Sequence, residues 1–113
     1  MITRYWKNID YEKALALDAL VDCQPGQVVS RTFVQNDAIS VTLFAFDRGE
    51  EISAHTSEGD ALITVLTGAA RVTIGGQPHT VAAGQSILMP NGVPHAVAAE
   101  EPFKMLLTVV FDG

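Results

Sequence analysis

Apolar and polar positions change character near residue 24. Residues 11–20 are rich in Ala and Leu, with Leu15, Ala19 and Leu20 at helical spacing, so a short helix or turn is expected there. Pro25-Gly26 then punctuates the chain. Beyond it the pattern is that of short strands. Residues 28–34 are β-branched and aromatic, and residues 39–46 are apolar on both faces, as in a strand covered on two sides. Residues 52–56 form a short segment after a Gly49-Glu50 turn. Residues 61–67 and 69–74 flank Gly68, which reads as a bulge or bend. In the second of these, Arg71 and Thr73 alternate with Val72 and Ile74, giving one wet face. Gly75-Gly76 predicts a hairpin. Residues 80–82, 86–89, 95–98 and 103–111 complete the strands, with Pro90-Asn91-Gly92 closing the third-last.

Many short strands with evenly spaced turns predict an all-β sandwich or barrel. At 113 residues the chain is one domain. Residues 1–23 form an N-terminal arm, strand or short helix, too small to bury a core alone; residues 24–113 form the barrel.

Charge narrows the partners. The formal net charge is -6, and the seven basic residues form no run, which argues against nucleic acid and anionic membrane. Residues 1–8 carry no continuous apolar stretch, so no signal peptide is expected, and the apolar run at 105–111 is too short to span a bilayer. Cys23 is the single cysteine, so no intrachain disulfide forms, and a cytoplasmic location is expected. With no basic or histidine neighbour in sequence, Cys23 reads as a buried, inert thiol.

The chemistry-bearing residues are few. There is no nucleophile elbow, no P-loop and no dinucleotide fingerprint, so catalytic residues are unknown. His55 and His95 are candidate ligands or general bases. His79, just past the Gly75-Gly76 turn, reads as an exposed hairpin residue or a rim ligand. Phe44, Phe46, Met89, Phe103 and Met105 line a cavity or make plain core. Trp6 covers an open end of its own barrel or anchors a subunit interface.

Two segments carry a family resemblance: Gly49 through His55 and Ser57 to Gly68, and Gly84, Pro90, Gly92 and His95. Their order and spacing resemble the two motifs of the cupin superfamily, in particular its small single-domain members. Gly49, Gly84 and Gly92 stand where strands reverse and positive φ is needed, and Pro90 stops strand pairing. In the first motif Ser57 stands at the second histidine and Ala61 at the glutamate; in the second, Ala99 stands at the asparagine. The metal-binding motif is therefore degenerate. The resemblance implies a double-stranded β-helix, or jelly roll, often dimerised through a sheet edge and the N-terminal strand. It places His55, Ser57, His95 and Met89 at a ligand pocket, with His95 approaching His55 from the facing sheet. His55 and His95 remain as weak ligands for a divalent transition metal, with Asp60 the least unlikely substitute for a missing one.

Three functions follow. One is a module binding a small, largely apolar organic molecule, with the histidines as polar contacts. Another is a metal-dependent enzyme of the dioxygenase, isomerase or decarboxylase type with an incomplete ligand set. The last is a non-catalytic homodimeric structural or partner-binding domain.

Overall fold

The computed structural model describes residues 2–111; Met1, Asp112 and Gly113, the extreme ends of the expected arm and barrel, lie outside the described residues. After a 3-10 turn at Leu17–Leu20 come nine strands: β1 Val28–Gln35, β2 Ile39–Phe46, β3 Glu51–His55, β4 Gly59–Thr67, β5 Ala69–Ile74, β6 Gln77–Ala82, β7 Ser86–Met89, β8 His95–Ala98 and β9 Phe103–Phe111. They form a five-stranded sheet, β1-β2-β9-β4-β7, and a four-stranded sheet, β3-β8-β5-β6. All pairings are antiparallel. This is the expected jelly roll. Among the described residues no helix is long and apolar enough to cross a membrane.

The inner faces of the two sheets make one dry core. From the larger sheet come Phe46, Ile63, Val65, Phe103 and Met105; from the smaller, Ala70, Val72, Val81 and Val97. Phe46 and Phe103 are cross-strand partners whose rings stack 4.6 Å apart. Phe44 packs against this cluster, and Met89 belongs to it. Of the two readings of these aromatics and methionines, the structure thus favours core.

A second apolar layer lies on the outer face of the larger sheet. Between Thr32 and Val34 the β1–β2 register shifts, a bulge that turns Phe33 and Val34 to the same outer side. There they join Val41, Leu43 and Ala45. The arm covers this layer. Ile9, Leu17, Leu20 and Val21 pack into it, and Trp6 stacks on Phe33 with ring centroids 6.2 Å apart. Polar contacts fix its path. The Lys7 N–H donates to the Phe33 carbonyl (2.9 Å), Arg31 donates to the carbonyls of Asn8 (2.7 Å) and Leu20 (2.9 Å), and Lys104 to that of Asp18 (2.7 Å).

Of the short helix or turn expected within residues 11–20, the structure forms the turn, the four residues Leu17–Leu20. Ala16 supplies no side-chain cap, and Glu12 sits at φ 56°, outside helical space. Cys23 is half-buried, its Sγ 3.5 Å from the Phe46 carbonyl oxygen. His79 lies exposed on β6, in the β5–β6 hairpin.

Phe103→Ala removes a fully buried ring from the stacked pair. It is expected to lower unfolding free energy by about 3–5 kcal/mol in a urea titration, with the slope unchanged.

Candidate functional site

One end of the barrel collects the candidate residues. Strand β3 ends at His55, and β4 begins after a three-residue connection, 56–58; β7 ends at Met89, and β8 begins at His95 after a five-residue connection, 90–94. Both connections therefore cross the same mouth. They are tied together there. The Gly92 N–H donates to the Ser57 carbonyl (3.2 Å), and the Asn91 N–H donates to Asp60 Oδ1 (2.9 Å). Gly92 makes its reversal at φ 76°, as the motif requires.

The structure brings His55 and His95 together, but by a different route from the one expected. They are not on facing sheets. Strands β3 and β8 are neighbours in the smaller sheet, and His55 and His95 are direct cross-strand partners. A register shift between Ile52 and His55 sets that pairing. In β8, His95 shares the inward parity of Val97, a core residue, and is itself 4% exposed. His55, on the edge strand, is open to solvent. The ring centroids are 4.4 Å apart and the planes meet edge to face at 66°.

Each imidazole is oriented by the backbone two residues earlier. His55 Nδ1 lies 2.9 Å from the Ser53 carbonyl oxygen, and His95 Nδ1 lies 3.2 Å from that of Val93. A carbonyl only accepts, so in the neutral form of each ring Nδ1 carries the hydrogen and Nε2 keeps its lone pair. Burial pushes the His95 pKa below its ordinary value; the Val93 carbonyl draws it partway back, and the neighbouring His55 lowers it further. Near neutral pH the buried member of the pair is therefore uncharged.

The other candidate positions do different work. The Ser57 hydroxyl donates to the Gly59 carbonyl (3.0 Å), so it braces the 56–58 connection. Ala61 is buried between its partners Met89 and Val109. Asp60 is outward-facing and exposed, capping the Asn91 N–H. Gly59 is not the solvated turn its neighbours suggest. It opens β4 and is buried, and a Cβ there would overlap the Val110 carbonyl oxygen. Sequence reasoning missed Ser40. It is a buried hydroxyl in the inner-face row Ser40, Val109, Ala61 and Met89 at this mouth. Its alternation with Thr42, Phe44 and Phe46 was the available signal.

A resident metal does not fit this donor set. Among the described residues no group of three or more His, Cys, Asp or Glu side chains could hold an ion. Two imidazoles fall short of the three or four protein ligands of a tight site, and the Ser57 hydroxyl is engaged with the Gly59 carbonyl.

Comparison with known proteins agrees with this architecture. Residues 42–111 match the family model described as a cupin domain, and the chain belongs to the cupin superfamily. It is similar to a conserved protein of unknown function from Streptococcus pyogenes, with 44% identity, 98% of this chain and 97% of that one covered, and a TM-score of 0.96. It is also similar to a cupin superfamily protein from Desulfitobacterium hafniense, with 31% identity, 96% and 100% covered, and a TM-score of 0.91. A salicylate 1,2-dioxygenase from Pseudoaminobacter salicylatoxidans shares the fold at 19% identity and a TM-score of 0.69, over 77% of this chain and 25% of that one. Among curated proteins none matches.

Two outcomes follow from the site. Because the folded chain resists protonating His95, stability is full above the ordinary imidazole value of 6.5 and falls as pH drops below it, levelling once His95 protonates in the native state. Urea midpoints between pH 8 and 5 are expected to show this decline, and His95→Gln is expected to flatten it. Gly59→Ala is expected to lower stability by about 1–3 kcal/mol, because strand β4 must move away from Val110.

Proposed function

We propose that this cupin binds a small organic molecule at the barrel mouth, held by hydrogen bonds to His55 and His95. The observation that carries this reading is the pair of backbone-oriented imidazoles, each with Nδ1 committed and Nε2 bare. Two adjacent lone pairs accept hydrogen bonds, so they suit a ligand bearing O–H or N–H donors. The chain's net charge of -6 and the carboxylates of Glu58 and Asp60 at the mouth disfavour an anion. A neutral or cationic donor fits both features. The interior below is packed core, so the ligand sits across the mouth against the exposed edge of His55, with Ile74, beside His95 on β5, as apolar floor.

The enzyme reading needs a third ligand, and among the described residues no group of three metal-ligating side chains supports it. Protein purified without an affinity tag is expected to carry substoichiometric iron, manganese, zinc, nickel and copper by plasma mass spectrometry. One equivalent of any of them, lost in His55→Ala with the fold intact, would favour the enzyme.

The direct test is a thermal-shift screen at pH 8 with small alcohols, amides, amines and carboxylates. A donor ligand at 100-fold excess over its Kd is expected to stabilise by about 2.7 kcal/mol, a rise of roughly 10 °C. His55→Ala should abolish the shift. Preferential stabilisation by carboxylates, or nitrogen NMR placing the protons on Nε2, would sink the proposal.

A further inference from the structure

The arm lies over the β1–β2 half of the larger sheet's outer face and leaves Leu62 and Leu88, on the β4–β7 half, exposed. Within the arm, residues 6–12 close into a loop. The Trp6 N–H donates to the Tyr11 hydroxyl (3.0 Å), and that hydroxyl donates back to the Trp6 carbonyl (3.3 Å). Asn8 and Glu12 take φ 61° and 56°, a conformation side chains rarely adopt, and so bend the loop at two points. The Asn8 side-chain amide donates to the Thr32 carbonyl (2.8 Å), and Ile9 packs down into the outer apolar layer. The loop is thus a shaped element anchored to the sheet.

A cleft of about 280 Å³ opens on this loop, lined by Trp6, Ile9, Asp10, Tyr11 and Glu12. Two kinds of group face it. Trp6 and Tyr11 are each 43% exposed, so much of either ring is still open to a ligand. Asp10 and Glu12 are exposed carboxylates. Lys13 approaches Asp10 only loosely, at 3.5 Å with both side chains in solvent, and Glu12 has no basic partner among the described residues. An aromatic face is electronegative and a carboxylate carries a full charge, so both halves of the lining attract a cation. The chain shows this preference in its own side chains. The Arg4 guanidinium lies over the Tyr11 ring, 4.5 Å from its centroid, and has no carboxylate partner among the described residues.

We propose that this cleft binds a small alkylated ammonium ion, its methyl surface against Trp6, Tyr11 and Ile9 and its charge against Asp10 and Glu12. Arg4 competes for the Tyr11 face in the free protein and gives way to the ligand. Such an ion is weakly hydrated, like the guanidinium it displaces, and loses little on entering an apolar cleft. A bare metal ion is a poor occupant, because it wants several oxygen ligands and gains nothing from the rings. The net charge of -6 draws cations toward the surface. The cleft uses neither His55 nor His95, so it stands or falls apart from the barrel mouth.

The test is an NMR titration of the full chain with tetramethylammonium chloride, following the indole N–H of Trp6, the only tryptophan in the chain. A saturable shift is expected with a Kd on the order of 1–10 mM, and the methyl resonance of the ligand should move upfield under the rings. Sodium chloride at equal ionic strength, and neopentyl alcohol as a neutral molecule of similar shape, should give no saturation. Asp10→Asn with Glu12→Gln keeps the shape and removes the charge; it is expected to weaken binding by about threefold or more. Arg4→Gln removes the competitor and is expected to tighten binding by about twofold or more. All three positions are exposed, and an unchanged dispersion of the core amide resonances checks that each variant is folded. Absence of saturation, an equal response to neopentyl alcohol, indifference to the loss of both carboxylates, or weaker binding by Arg4→Gln would overturn the proposal.

Discussion

The β1-β2 side of the larger sheet is buried on both faces, and much of the rest of the molecule follows from that requirement. Strand β2 shows it most plainly: Phe46 faces the opposing sheet while Val41, Leu43 and Ala45 face the arm. Neither layer is sufficient alone. The inner layer needs the β3-β8-β5-β6 sheet to exclude water, and the outer layer needs the arm. The bulge in β1 serves the second need by placing two consecutive residues, Phe33 and Val34, on the outer side. Arg31 and Lys104 complete the closure by donating to arm carbonyls that would otherwise lie against apolar surface.

The same closure positions the mouth. Packing the two sheets brings the 56–58 and 90–94 connections over one end, where backbone bonds and Asp60 lock them together. The histidine pair then inherits a fixed geometry from strand register. His95 is held in the wall of the core and His55 at its rim, each ring aimed by a carbonyl two residues back. The result is a small paired-imidazole site with Glu58 and Asp60 beside it. Ser57 braces its own turn and Ala61 packs against Met89, so both positions serve the fold.

Much of this was legible in the residues. The strands from residue 28 onward could be read from alternation and turn chemistry because a period of two is imposed by the pleat itself. Gly49, Gly84 and Gly92 marked reversals because positive φ is costly for other residues, and all three adopt it. The arm was less legible. Its Ala and Leu spacing suggested a helix, but only four residues turn, because this segment is shaped by docking onto β1 and β9 and not by its own propensity. Ser40 escaped notice because a lone serine in an apolar strand carries no motif.

The sequence by itself determined the number and order of strands, and its motif spacing carried the resemblance that implied a jelly roll with a reduced ligand set. These depend on local periodicity and on residue identity, which need no knowledge of distant contacts. Only the tertiary structure decided that His55 and His95 are neighbours within one sheet, which nitrogen each leaves bare, and which half of the outer face stays open. Those depend on register across strands about forty residues apart in the chain, and register is fixed by the packing of both layers at once.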